Sequence, residues 1–504
     1  MKKQHTDNYI LLPVTQTRIS PVDSPRVADF LSKLQPTNQR PAFVNLNVRS
    51  KLKQPEDEIL VEVLDSIHDE GAKLIRISKE ELPTFRFSYP GLRIIPEKFY
   101  RPAVCSKEKI KIQVQTKQTR LSTPLCIKVT DQKNQGIADI SVVVFTDFFS
   151  GKGASGITDK NGVVNLKMNS MQAERIYIYP DHSYWGYFKK NIKLNSNMQI
   201  KLQPIALNYK DALRYFYDTA KLPPINHKVK IGVIDTGIGP HKDLKVSGGK
   251  NLVRGENEAD YYDNGEGHGT HVGGIISAAG NIYGVAAGAE IMSYRVFPKG
   301  EGASNFDIMK AINQAIEDQC DLLNMSLGEA LDDEAITSYI REAFNTGILC
   351  FAANGNDNRS PVNFPAAYSL SIGVSAMGRK GTFPTNSIET STIDAPYGTD
   401  KNNFIADFSN VGTETDLTAP GVGIISTYPN DKYAVMDGTS MACPAAAGMA
   451  ARILASYPEI LDLPRNQARS EEMVKILSMH IKILGFGANF EGKGMLYQND
   501  EIHS

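Results

Sequence analysis

From Lys230 to Asp235 the chain reads Lys-Ile-Gly-Val-Ile-Asp, an apolar run set between Pro223-Pro224 and Gly237. A short uninterrupted run between such breakers predicts a buried strand that ends in a tight turn. Far downstream, Ala445 to Ala451 is almost all small residues, which predicts a helix packed closely at the centre of a domain. The first two hundred residues follow other rhythms. Tyr9-Ile10-Leu11-Leu12-Pro13-Val14 is strand-like, and polar, proline-punctuated sequence follows to residue 40. Phe43 to Val48 alternates as a strand. Glu58 to Glu70 places Leu60, Val63, Leu64 and Ile67 on one helical face, with Gly71 as its stop. Lys73 to Ile77 and Gly91 to Ile95 read as two more strands, so 41–100 forms a small α/β unit. Residues 105–203 read as all-β. Leu125–Thr130, Ile140–Phe145 and Gly162–Leu166 are strands joined by turns at Asp131–Gly136 and Thr158–Gly162. That spacing predicts a small sandwich. The sole tryptophan, Trp185, is expected in a core. Residues 378–404 are polar, rich in Thr, Ser, Asp and Asn, and read as a surface loop insertion.

Composition narrows the class. The 504 residues leave room for two to four domains. A net charge of −1 makes no electrostatic case for nucleic acid or a membrane surface. There is no apolar run of about 18 residues, so no spanning helix is expected. Met1 to Asn8 carries two lysines without an apolar core behind them, so no secretory signal is expected. Five scattered cysteines (105, 126, 320, 350, 443) suggest neither a disulfide framework nor a zinc site. The expectation is a cytoplasmic protein with free thiols.

The candidate chemistry lies in three glycine-rich segments. They are Ile231-Gly232-Val233-Ile234-Asp235-Thr236-Gly237, Gly267-His268-Gly269-Thr270-His271-Val272-Gly273-Gly274 and Gly438-Thr439-Ser440-Met441-Ala442-Cys443-Pro444. A serine hydroxyl needs an imidazole to take its proton, and the imidazole needs a carboxylate to fix its tautomer. The chain order Asp, His, Ser is that of subtilisin. The three segments closely resemble those of subtilisin-like serine proteases. The resemblance continues through Ala352-Ala353-Asn354-Gly355-Asn356, Phe408 to Gly412 and Leu417 to Val422, and covers roughly 206–498.

The resemblance implies that Ser440 is the nucleophile, His268 the base and Asp235 its orienting carboxylate. His271 and His241 match non-catalytic histidines. Asn356 is implied as the side-chain donor of an oxyanion hole, beside the N–H of Ser440. Gly300, Glu301, Gly302, Ser326, Leu327, Gly328, Ala353 and Asn354 are implied as substrate-binding walls for an extended protein or peptide chain. Cys443 stands where a serine or threonine is usual and is read as a packing residue. No metal or other cofactor is expected. Asp243 matches a residue that often ligates calcium, but 277–286 is too short to build that loop, and calcium prefers six to eight oxygens. The implied fold is α/β: a doubly wound parallel sheet in a catalytic domain at 206–504. Ahead of it stand a ferredoxin-like, propeptide-like unit at 1–104 and a transthyretin- or Ig-like sandwich at 105–205. The resemblance further implies intramolecular inhibition by residues 1–104, with the tail near 94–100 or slightly beyond laid along the groove.

Two rivals remain at this point. A transpeptidase or macrocyclase would pass the acyl group to an amine. A catalytically silent binding protein would have no chemical need for Asp235, His268, Ser440 and Asn356 together. For the first hundred residues a generic interaction domain is the other reading, and for the sandwich a structural spacer or a recognition module.

Overall fold

In the computed structural model, residues 6–14, 16–20, 22–36, 40–48, 57–113 and 123–498 are described. The first five residues, part of the stretch read for a leader, lie outside that set. The N-terminal unit is an antiparallel sheet whose strands run, across the sheet, Ala42–Val48, Asp57–Ser66, Lys73–Ser78, Thr6–Pro13 and Leu92–Pro96. Helices Pro25–Ser32 and Leu82–Ser88 complete it. Without the added edge strand at 42–48, this is the βαββαβ order of a ferredoxin-like unit.

The helix expected over Glu58–Glu70 is a strand instead, Asp57–Ser66. Alternation explains the difference. Ile59, Val61 and Val63 are buried, at 3%, 0% and 0% exposure, while Leu60 is half exposed. β-Branched residues at every second position fit a pleated face better than a helix. By the same alternation Leu64 faces the opposite side and joins a different core. The sheet is therefore apolar on both faces. Tyr9, Leu11, Ile59, Val61 and Ile75 pack with Phe85 and Leu34 beneath the unit's own helices. Ile10, Leu12, Leu64, Leu74 and Ile95 share a buried cluster with Phe306, Met309, Ile312, Tyr339 and Ile340, on helices Asn305–Glu317 and Glu334–Asn345 of the C-terminal domain.

The next unit has two facing sheets. The five-stranded one includes Ser141–Asp147 and Gln172–Tyr179, and the three-stranded one has Thr123–Thr130 at its centre. Leu125, Ile127, Val142, Val144, Val164 and Ile176 fill the space between them. The turns are set by side chains: Asp131 accepts the N–H of Lys133 and Gln135, and Asp159 those of Asn161 and Val163. The Trp185 side chain leaves the core of this module, while its backbone N–H stays bonded to the Gln203 carbonyl. It is 1% exposed, joins the core cluster of the C-terminal domain and lies tilted against Tyr209, with ring centroids 5.1 Å apart. Backbone bonds from Ser183 to Tyr433 and from Phe188 to Asn386 fix the same junction.

The C-terminal domain is built on one large sheet. Parallel strands Val246–Asn251, Glu290–Arg295, Lys230–Asp235, Leu322–Met325, Leu349–Ala353 and Ser371–Arg379 lie side by side in that order. Helices His268–Ser277 and Thr439–Ala455 pack on one face, and 305–317 with 334–345 on the other. The strand order reverses at 230–235, which is where such sheets open a crevice at their carboxyl edge. The polar insertion at 378–404 is not a plain surface loop. It contributes the 3-10 turn Ile388–Thr392 and strand Ile393–Tyr397, which joins Asn403–Ala406 to extend the sheet antiparallel. Buried Phe404, Ile405 and Ala406 anchor it.

Candidate active site

Asp235 ends the 230–235 strand and is 1% exposed. Its Oδ1 accepts the N–H of Thr236 at 2.7 Å and lies 2.7 Å from Nδ1 of His268. His268 begins the 268–277 helix, so its ring leaves the first turn toward the strand end. A residue with a Cβ at Gly269 would meet the Gly237 carbonyl at 2.2 Å. Glycine there lets helix and strand approach closely enough for the pair to form. Burial pulls the His268 pKa down, but Asp235 together with Asp263 and Glu266 outweighs it, and the pKa stands above its ordinary value. Nε2 of His268 is buried and has no partner among the described residues. His271 serves a different purpose. It is fully buried, bonds through Nε2 to the carbonyls of Ile424 and Ala434, and burial drives its pKa down to about 3. His241 is held between the Asp243 N–H and the Lys432 carbonyl.

Ser440 lies in the first turn of helix 439–455, where backbone N–H groups have no partner within the helix. Here they are used. The Thr439 N–H donates to Oδ1 of Asn356 at 2.9 Å, and the Ser440 N–H donates to the carbonyl of Ala103 at 3.1 Å. Nδ2 of Asn356 donates to that same carbonyl. Pro444 has no N–H to give back to the Ser440 carbonyl. The hydroxyl of Ser326 fills that place, donating to Ser440 O at 3.0 Å. The Ser440 hydroxyl in turn donates to the Ser326 carbonyl at 3.0 Å rather than to His268.

Ala103 belongs to a strand that sequence reasoning placed only loosely. Phe99–Pro102 pairs antiparallel with Ala303–Ser304 on one side and Leu327–Gly328 on the other. The Ala103 N–H donates to Ser326 O and the Cys105 N–H to Asp437 O, both at 3.0 Å. A Cβ on Gly438 would stand 2.8 Å from the Ala103 carbonyl oxygen, so only glycine admits the strand. Tyr100 is buried in the core shared with the N-terminal unit. Asn305 clasps the strand's start, with its N–H on Lys98 O and its side-chain oxygen on Lys98 N.

The expected walls are only partly these residues. Ser326, Leu327 and Gly328 line the strand. Of 300–302, only Gly302 approaches it, and the pairing is made by Ala303 and Ser304. Gly300 instead donates its N–H to Glu266. Ala353 and Asn354 are fully buried, and Asn354 bonds to Thr415 and Val374. They brace the turn that carries Asn356 and are not groove surface. Cys443 is buried and its thiol pKa is raised by burial. The Asp243 carboxylate accepts the Tyr433 hydroxyl at 2.8 Å and is approached by Ile282 N. The described residues hold no cluster of three or more His, Cys, Asp or Glu placed for a metal, and none of their helices is long and apolar enough to cross a membrane.

This geometry can be set beside known proteins. The chain is 33% identical over 278 residues to the thermostable alkaline protease of Halalkalibacterium halodurans, covering 55% of this chain and 66% of that protein. To subtilisin DY of Bacillus licheniformis it is 37% identical over 240 residues, 46% of this chain and 78% of the relative. To the minor extracellular protease Epr of Bacillus subtilis it is 38% identical over 225 residues, 44% of this chain and 31% of the relative. The chain thus spans less than two thirds of the first of these relatives and under one third of the last. Residues 226–487, just over half of the 504, match the family model described as the subtilase family. By that span, carrying Asp235, His268, Asn356 and Ser440 together, the chain belongs to the subtilase family.

Proposed function

We propose that this protein is a serine endopeptidase whose first substrate is its own Ala103–Val104 bond. One observation carries the reading: the Ala103 carbonyl is held by the Ser440 N–H and by Asn356 Nδ2, on a strand paired along both edges. These are two donors aimed at the oxygen that becomes negative when a carbonyl is attacked. A single side-chain donor of this kind is worth about 10²–10³ in kcat in subtilisin.

The chemistry needs one small motion. The Ser440 hydroxyl turns from Ser326 O toward the Ala103 carbonyl carbon, and His268 Nε2 takes its proton. The C–N bond to Val104 then breaks, with His268 returning the proton to the Val104 amine. An ester between Ser440 and Ala103 remains, and water hydrolyses it. Residues up to 103 first remain on helices 305–317 and 334–345 as a bound product, and the groove opens to other chains when they depart; the uncut chain, with its groove filled, is a zymogen. The sandwich begins after the cut and stays with the enzyme, joined through Trp185. Five unbonded cysteines, three of them buried, support a reducing compartment as the place of work.

The test is direct. A fluorophosphonate should label Ser440, and the incubated wild-type protein should give a fragment whose N-terminus is Val104. Absence of both labelling and shortening, in a protein that melts cooperatively, would refute the reading. The pH profile supplies a second check. The base works only when neutral, and Asp235 holds the His268 pKa above its ordinary 6.5. Activity should therefore fall as pH drops through a value above 6.5. An acid limb centred well below 6.5 would contradict the His268–Asp235 assignment.

A further inference from the structure

Beyond Ala103 the groove continues into a cavity of about 410 Å³ between the sandwich and the C-terminal domain. Val104 to Glu108 run along it, with Tyr177 and Tyr179 of the sandwich on one side. Its charge is one-sided. Six carboxylates line it (Glu108, Asp181, Glu266, Glu389, Asp407 and Asp437), and the one cation among its lining residues is Lys107, which is paired to Asp181 at 2.7 Å. Two of the six stand apart. Glu389, from the 388–392 turn, is 3% exposed, yet its Oε2 has no partner among the described residues. Asp437 takes one hydrogen bond on its carboxylate, from Gly423 N at 2.6 Å. Burial raises the pKa of both; Asp437 raises that of Glu389 further, and Asp407 that of Asp437. Arg175 and Arg359 act on Glu108 and Asp407 instead.

The chain's own residue at this point is Cys105, the second after the Ala103–Val104 bond. Its N–H is fixed on Asp437 O, and its thiol pKa is raised by burial and by Asp437, Asp407, Glu108 and Glu389. A neutral side chain thus sits among four carboxylates, two of which, Glu389 and Asp437, have no cation acting on them. Buried carboxylates ionise readily only when a cation comes with them.

We propose that the groove selects Lys or Arg at the second residue after the cleaved bond, received by Glu389 and Asp437 under the sandwich. The inference rests on the peptidase reading and names its substrate class. Cys105 is then a poor self-substrate residue at that position, which keeps self-cleavage slower than cleavage of a basic target. The sandwich becomes a wall of the substrate site rather than a spacer.

The experiment uses the wild-type protein, incubated until peptide turnover is steady. Peptides spanning 98–108 of this sequence carry Lys, Arg, Ala, Met or Glu in place of Cys105. Lys and Arg should exceed Ala and Met in kcat/KM by about 10-fold or more, with Glu lowest. Glu389→Gln should shrink the Lys-to-Ala ratio toward one. Equal rates for Lys and Ala, or a preference that survives Glu389→Gln, would overturn the proposal. A second readout needs no turnover. In the full-length Ser440→Ala chain, Cys105→Lys should melt above Cys105→Met, and Glu389→Gln should erase that difference. Equal or reversed melting would overturn the carboxylate site. A failure of fluorophosphonate labelling would instead count against the peptidase reading, so the two failures are distinguishable.

Discussion

Ser440→Ala is expected to abolish peptide turnover and to leave the chain at its full length. The change removes one oxygen. In the resting geometry that oxygen makes a single bond, to the Ser326 carbonyl, worth about 1 kcal/mol net. The Ser440 N–H remains, so the Ala103 carbonyl keeps both donors and the 99–102 strand keeps both edges. The fold and the melting temperature should be nearly those of wild type. The chemistry should not survive, because no other nucleophile stands at that carbonyl. Loss of the nucleophile costs about 10⁶ in kcat in subtilisin. Turnover and intact mass, measured on one preparation, decide it. Wild-type-like cleavage by the purified variant would remove Ser440 from its role.

The two histidines of the 268–277 helix should separate just as cleanly. His268→Ala is expected to cost as much as the serine change, since in subtilisin losing either group alone is about as damaging as losing the whole set. His271→Ala should act through stability. Its ring bridges the carbonyls of Ile424 and Ala434 from a fully buried position, and truncation removes that bridge and leaves a buried void, at about 1–3 kcal/mol in all. Turnover per folded molecule should stay within about tenfold of wild type. The low His271 pKa adds a sign. The folded state holds this ring neutral while the unfolded chain protonates it, so the ring's contribution to stability is present above about pH 6.5 and is lost as pH falls toward 3. If His271→Ala silences a well-folded protein and His268→Ala does not, the base has been assigned to the wrong residue.

Much of this is legible in the sequence. Asp235, His268, Asn356 and Ser440 sit in short glycine-rich segments whose spacing is local, so sequence alone delimits them. The 230–235 strand was legible because a buried parallel strand is an apolar run. What escaped had a non-local cause. The 57–66 strand has apolar residues spaced for a helix as well as for a sheet, because both faces of its sheet are covered; the β-branched alternation of Ile59, Val61 and Val63 was the available signal. Ala303 and Ser304 carry no motif, and beside them Gly302 lets the chain approach the 99–102 strand, where a Cβ would stand 2.9 Å from the Tyr100 carbonyl oxygen. Ala353 and Asn354 share a motif with Asn356 but point into the core. Glu389 lay inside a polar stretch, and polarity alone does not separate an exposed loop from a buried carboxylate.

The strands on either side of 99–102 are two residues long each. Once the central strand departs, each becomes a free sheet edge, the kind of surface along which proteins stick to one another. Their shortness limits that hazard, since two residues offer too little ladder to recruit a neighbour's strand. The same shortness sets the register. An incoming chain must span both edges at once and place one carbonyl beside Gly438, so sliding by a single residue forfeits the whole set of bonds. On the proposed reading, the groove selects extended backbone before it reads any side chain, and folded surfaces that cannot lend it several residues of free chain would be spared.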